Sequence, residues 1–312
     1  MRRLALAAAV ALLASVPWMG NETLVEFGIN ALLLATLAQA WNVIGGFTGY
    51  ASFGNSVFYG LGTYGTAIAM AQLHLPFAAG LGLGAAMAAA CALVLGVPIL
   101  RLRGPYFAIA TLGLSAAMAA IFSNLEIAGK NIGLILPLFR GERLFYELSL
   151  ALLVATTATV AWVASSRFGA GLVAIRENEE AAQVMGVDTT RYKVAALAIA
   201  AVFSAVAGGI HAYWITFIDP ASAFDSTLNV KMVIMAVFGG PGTVLGPVVG
   251  AFTLSAVSEL LASRLSTVAA GFYGLVVVLA VVFMPRGLLD LGRGLRRDGW
   301  RYFAQNVRRY RL

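Results

Sequence analysis

The stretch "FAAGLGLGAAMAAACALVLGVPIL", residues 77–100, runs its whole length without a charged side chain. About 20 apolar residues cross the hydrocarbon core of a bilayer, and the backbone inside it must satisfy its own polar groups. The run therefore reads as a transmembrane helix. Its texture recurs outward in both directions, for the 312-residue chain is 60% hydrophobic, 11% charged and has a mean hydropathy of +0.86. Further runs extend over Leu4–Met19, Leu24–Ile44, Phe53–Ala71, Tyr106–Phe122, Leu148–Ala164 and Val194–Ile218. Between Leu228 and Met284 the glycines and prolines of "GGPGTVLGP" (239–247) break the pattern into a short run ending at Phe238, then Leu245–Ala262, then Thr267–Met284. A membrane β-barrel would instead show ~10-residue alternating segments, and none recurs. The expectation is an all-α, polytopic helical membrane protein of about ten transmembrane helices, or eight or nine with re-entrant segments.

Charge sets the expected orientation. Arg2 and Arg3 precede the first run, Arg101 and Arg103 follow the fourth, and Arg167, Arg176, Arg191 and Lys193 follow the sixth. Beyond Met284 come Arg286, Arg293, Arg296, Arg297, Arg301, Arg308, Arg309 and Arg311 against Asp290 and Asp298. The positive-inside rule places all of these in the cytoplasm, so both termini lie inside and the number of crossings is even. Residues 1–290 then form the transmembrane domain, with a cytoplasmic loop at about 165–193, and residues 291–312 form a basic cytoplasmic tail. "MRRLALAAAVALLASVPWMG" also fits a signal peptide, but its removal would spoil the parity, so an uncleaved first span is expected. The net charge of +7 sits beside spans without a soluble fold, which points to topology and anionic lipid, not to nucleic acid.

Chemistry is absent where a catalyst would need it. "GK" occurs only at Gly129–Lys130, where Asn124 and Asn131 occupy positions that a P-loop gives to glycine and Ser/Thr. "GLGTYG" (60–65) matches a dinucleotide fingerprint but lies within an apolar run, so it reads as close helix packing, as do Gly80, Gly82 and Gly84. His74 and His211 have no metal-binding spacing; His211 reads with Tyr213 and Trp214 as an interfacial belt. Cys91 stands alone, which excludes an internal disulfide. No catalytic cluster and no metal or cofactor site is expected. Ionisable groups within apolar runs are costly and therefore informative, and here they are Glu26, Lys231 and Glu259. Asn30, Gln39, Asn42 and Asn55 are neutral and read first as bridges between helices.

One compact polar block remains, within "SSRFGAGLVAIRENEEAAQVMGVDTTRYK" (165–193). Glu177, Glu179 and Glu180 favour a helix start, Gly186 a stop, and Asp188 can cap the span that follows. Ala181, Val184 and Met185 share a face of this short helix, which is too short to be stable alone and suits a groove on another protein. A helix lying on the membrane would carry Lys and Arg where this one carries glutamates.

"EAAQVMG" (180–186) resembles the EAA loop of ATP-binding-cassette importer permeases. "SFGNSVFYGLGTY" (52–64), "RLRGPYFAIATLGLS" (101–115), "AIRENEEAAQVMGVDTTRYK" (174–193), "FIDPASAF" (217–224) and "FGGPGTVLGPVVGA" (238–251) resemble, in order, segments of the branched-chain amino acid permeases of LivM type. The resemblance covers about residues 30–290. It implies a permease subunit without its own ATPase, paired with a second related permease, two cytoplasmic ATPase subunits and a periplasmic binding protein in the bacterial inner membrane. ATP and magnesium would be held by the ATPase subunits. It implies a coupling role for Glu180, Ala181, Ala182, Val184, Met185 and Gly186, and Asn30, Asn55, Tyr106 and Lys231 are the candidates for the substrate path. Asn55 stands where many relatives have histidine, and "AGKNIGL" (128–134) replaces a glycine-rich stretch, so substrate identity is the more open question. Urea permeases look alike, and an ion-gradient-driven transporter using Glu259 is the rival of a different class.

Overall fold

The computed structural model describes residues 2–139, 141–264, 274 and 287–290. Its helices are α1 (Arg2–Ser15), α2 (Glu22–Thr48), α3 (Asn55–Ala71), α4 (Phe77–Ile99), α5 (Pro105–Asn124), α6 (Glu142–Ser165), α7 (Arg167–Glu177), α8 (Glu179–Val184), α9 (Thr189–Ile215), α10 (Pro220–Ala223), α11 (Ser226–Gly239) and α12 (Gly246–Arg264). Six described stretches are long and apolar enough to cross a membrane: α2, α4, α5, α6, α9 and the α10–α11 segment Pro220–Gly239. With the shorter apolar helix Gly246–Ala262, these make a polytopic helical membrane protein. The tenth expected span, Thr267–Met284, and the tail 291–312 lie outside the described residues. The all-α expectation needs one small amendment, since β1 (Leu134–Ile135) and β2 (Phe217–Ile218) pair antiparallel where two loops meet. They mark one end of the bundle; α7 and α8 mark the other.

Helix ends follow local chemistry. Asn21 caps α2 by accepting from the Leu24 N–H at 3.2 Å, and Asp219 and Asp225 cap α10 and α11 through the N–H groups of Ser222 and Thr227. These two aspartates are therefore structural caps.

The run that begins at Phe53 departs from expectation. After α2 the chain turns at Gly49, where φ is +75°, and residues 50–54 fold back along the helix they have left, so that Trp41 Nε1 donates to Ser52 O at 2.7 Å. Ser52 is buried, and its carbonyl is satisfied by that bond. Asn55 begins α3 there. The Phe53 N–H donates to Thr111 on α5, the Ser56 N–H to Asn229 Oδ1 on α11, and Ser56 Oγ to Ser115 Oγ at 3.0 Å. Helix α3 is consequently shorter than a span and buried almost throughout, packed on α4 and α9.

Small residues make that packing possible. A Cβ at Gly62 would fall 1.9 Å from Ala205 O on α9, and one at Gly65 2.5 Å from Gly84 Cα on α4. Close backbone approach is what holds helices together where lipid removes most hydrophobic gain. The reading of "GLGTYG" as a packing surface fits this geometry, and Gly80 also sits against α3. Gly82 is the exception: it faces open space because it lies on the other side of α4. The "GGPGTVLGP" break forms a turn between α11 and α12 held by α2. Asn42 Nδ2 donates to Thr243 O at 2.9 Å, the Gly242 N–H donates to Asn42 Oδ1, and Gln39 Nε2 donates to Val244 O at 2.6 Å.

Candidate functional site

The polar block folds as two helices where the sequence suggests one. Ser166 caps α7 by accepting from the Gly169 N–H, and Asn178 then leaves the helical region with extended backbone. The Asn178 N–H still closes α7 on Ala174 O, while its side chain accepts from the Ala181 N–H at 3.0 Å and starts α8. Glu177 thus ends α7 and does not open α8; the capping strength of Asn178 overrides the run of glutamates. Helix α8 spans only Glu179–Val184 and closes with the paired bonds of a Schellman turn, Gly186 N–H to Gln183 O and Val187 N–H to Ala182 O. Gly186 sits at φ +86° with free space around it, so the backbone conformation, not crowding, calls for glycine. Asp188 caps α9 through the Arg191 N–H.

One face of α8 is locked to the bundle. Lys193 Nζ on α9 donates to Glu179 Oε1 at 2.6 Å, to Tyr50 Oη at 3.0 Å and to Leu100 O at 3.1 Å. Tyr50 in turn donates to Glu179 Oε2. Lys193 and Glu179 side chains are only 3% and 13% exposed, so the pair is shielded from water and salt. This knot joins α8, the start of α9, the C-terminus of α4 and the segment after α2. All three Lys193 donors are used. Ala182 is buried beside it. A neighbouring clamp ties α7 to α2, since Arg176 Nη1 donates to Gly46 O at 3.0 Å while Nη2 meets Glu177.

Burial alone would raise the Glu179 carboxyl, but hydrogen bonds from Lys193 and Tyr50, with the Lys193 charge, outweigh it and hold the pKa below the ordinary carboxylate value. Burial, reinforced by the Glu179 carboxylate, pushes the Tyr50 hydroxyl up. A group depressed in the folded state adds stability above its unfolded pKa, and that stability is lost as pH falls through the folded one. The melting midpoint of Glu179→Gln is therefore expected to fall less than that of the parent as pH drops below ~4. Parallel curves from thermal melts in detergent would remove Glu179 from the acid response.

The other face of α8 is bare. Val184 and Met185 are 87% and 83% exposed, and Ala181 and Glu180 are also exposed; Glu180 meets Arg103 at 2.9 Å on the surface. The face expected to carry Ala181, Val184 and Met185 is thus presented outward, whereas Ala182 and Glu179 turn inward. An open cavity of about 380 Å³, lined in part by Tyr50, Arg103, Phe107 and Glu180, lies beside the helix.

The four path candidates separate. Asn30 on α2 and Lys231 on α11 line one cavity of about 220 Å³. Asn55 is fully buried at the start of α3, and neither atom of its amide has a hydrogen-bond partner. Tyr106 is 73% exposed at the first turn of α5, away from both. His211 contacts the rings of Tyr59 and Trp214 and reaches the Asn30–Lys231 cavity. Glu26 and Glu259 are exposed. The sequence misses the Lys193 knot, because its partners lie 14 and 143 positions away. The one usable signal was a lysine just inside the start of a span, the criterion that singled out Lys231.

Among the described residues no group of three or more His, Cys, Asp or Glu side chains is placed to hold a metal ion. No solved structure matches the chain. The high-affinity branched-chain amino acid permease protein LivM of Escherichia coli K12 is 27% identical, over 94% of this chain and 76% of its own length. LivM of Salmonella typhimurium LT2 is 26% identical over 89% of this chain and 72% of its own. An autoinducer 2 import permease, LsrC of Photorhabdus laumondii, is 29% identical over half of this chain. Residues 23–284 match the family described as "Branched-chain amino acid transport system / permease component", and a match over that much of the sequence, on a bundle of apolar helices, shows that the chain belongs to this family of transport permeases.

Proposed function

We propose that the chain is one of two membrane subunits of an ATP-driven importer that moves branched-chain or related hydrophobic amino acids across the bacterial inner membrane. A second, related permease completes the pathway, a periplasmic receptor delivers the substrate, and two cytoplasmic subunits hydrolyse ATP with magnesium. Both termini and the α7–α8 end face the cytoplasm, in line with the positive-inside distribution of arginines.

The observation that carries this reading is the two-sidedness of α8. A helix of under two turns is unstable alone, yet this one is fixed on its inner face by a buried ion pair and offers bare Val184 and Met185 on the outer. Exposed apolar side chains on a rigidly held helix suit insertion into a groove of a partner protein. ATP binding favours a closed pair of hydrolysing subunits; a helix seated in them is carried along, and the knot at Lys193 passes the displacement to α9, α4 and the end of α2. Glu180, Ala181, Val184, Met185 and Gly186 form the gripping surface and its stop, while Ala182 seats the helix.

The test is reconstitution. Vesicles holding this chain, its partner permease and the ATPase pair, supplied with receptor and leucine, should accumulate leucine only with ATP inside the compartment that holds the ATPases. Accumulation by this chain alone under an ion gradient, without ATP, would replace the reading with a secondary transporter.

A further inference from the structure

We propose that the cavity between α2 and α11 is a binding site for the zwitterionic head and aliphatic side chain of an amino acid, with Lys231 as the carboxylate partner. The proposal rests on the importer reading and locates a substrate contact within it.

Three features of the cavity lead to this ligand. First, Lys231 lies within the membrane-spanning stretch Pro220–Gly239 and lines a cavity of about 220 Å³, yet it makes no ion pair or hydrogen bond with the described residues. Of the other ionisable residues lining that cavity, Asp225 caps α11 and binds Thr227, and Tyr59 and His211 meet ring to ring at a tilt, with Trp214 edge-on to His211. Lys231 is exposed and lines the cavity without a fixed partner, so its ammonium can pair with an anion that enters. Second, α2 presents Asn30, Leu33, Leu34 and Leu37 to the same cavity, and the spacing i, i+3, i+4, i+7 places them on one face. Polar and apolar groups are therefore segregated along the helix, polar toward its first half and aliphatic beyond. Asn30 Nδ2 is already committed to Glu26 O at 3.2 Å, which leaves its Oδ1 as an acceptor for an ammonium. Third, Leu228 lies one turn before Lys231 on α11 and closes the aliphatic side.

An inorganic anion would use Lys231 but leave the leucines idle. A hydrocarbon would use the leucines and leave Lys231 unpaired. A small molecule with a carboxylate, an ammonium and a branched aliphatic group uses the donor, the acceptor and the leucines that line this one cavity. A lipid with an anionic headgroup shares the anion and the aliphatic chains, and the test separates it.

The experiment is leucine uptake by the complete reconstituted importer, with Lys231→Gln, Lys231→Arg and Leu34→Trp, in vesicles with and without anionic lipid. Expected is a loss of about tenfold or more for Lys231→Gln, the range of one charge-assisted hydrogen bond, with ATP hydrolysis retained. Lys231→Arg should keep most uptake, and Leu34→Trp should lose it. Leucine should also bind the receptor-free permease complex more tightly in the parent than isoamylamine, which lacks the carboxylate, and Lys231→Gln should erase that difference. Unchanged uptake or unchanged selectivity in Lys231→Gln overturns the site. Parent uptake that falls to the Lys231→Gln level when anionic lipid is omitted overturns it too, in favour of a headgroup. Uptake by the parent without ATP would instead sink the importer reading and leave the site to be judged on the selectivity measurement.

Discussion

Lys193→Met is expected to destabilise the protein by about 3–5 kcal/mol, because it strands Glu179 as a buried carboxylate with its cation removed. The lysine is almost wholly buried and spends all its donors on Glu179, Tyr50 and Leu100 O, so no rearrangement of a long side chain can hide the loss. The double variant Lys193→Met with Glu179→Leu should recover most of the stability, since well-packed apolar groups often replace a buried ion pair at little net cost. Uptake should not recover with it. Apolar contact would keep α8 near the bundle without the directional bonds that tie its motion to α4 and α9. Thermal melts in detergent set against ATP-driven uptake test both halves. A stable, fully active double variant would reduce the knot to scaffolding.

The second large effect is expected from Val184→Asp combined with Met185→Asp. Both side chains are mostly exposed, so folding should change by no more than ~0.5 kcal/mol. If this face seats in a groove, each buried carboxylate there costs on the order of 2 kcal/mol or more of association, and ATP-driven uptake should vanish while the permease stays in the membrane. Affinity of the purified ATPase subunits for the membrane complex is the direct measurement. Unchanged affinity would assign the docking surface elsewhere. Ala182→Trp belongs to a different experiment: Ala182 is packed inward, so a bulky replacement there unseats α8 from the bundle and does not probe the outer surface.

Much of the fold was legible because the bilayer imposes a coarse rule. Phe77–Leu100 and Tyr106–Phe122 became helices with ends within a residue or two of the apolar boundaries, whereas the helices over Leu24–Ile44, Leu148–Ala164 and Val194–Ile218 extend four to six residues beyond one boundary. Where the rule says nothing, the reading slipped. Hydropathy cannot tell that the run from Phe53 begins with irregular backbone, since buried irregular chain and helix have the same composition; Trp41, Thr111 and Asn229 decide it from elsewhere in sequence. The helical character of the 165–193 loop was legible, and its detail was misread. Glu177, Glu179 and Glu180 look alike as a cluster, yet Asn178 divides them into a helix end, a buried ion-pair partner and a surface group. Lys231 and Asn30 are 201 positions apart by their numbers and meet in one cavity, a juxtaposition that no local pattern encodes.

The glycine contacts of α3 limit how such a bundle can work. With Gly62 against the Ala205 carbonyl and Gly65 against Gly84, α3, α4 and α9 interlock like cogs at backbone distance. Shear along that seam would drive carbonyl oxygens into Cα atoms, so the three helices have to tilt as a single slab. Any opening of a passage must then come at the margins of the slab. The most sparsely buried margin among the described spans is α5, whose buried side chains are Phe107, Thr111, Ser115 and Phe122, with Leu114, Met118 and Ala119 packed part-buried beside them. If a passage opens beside this chain, relative motion is expected first at that lightly packed edge and not within the glycine-packed seam.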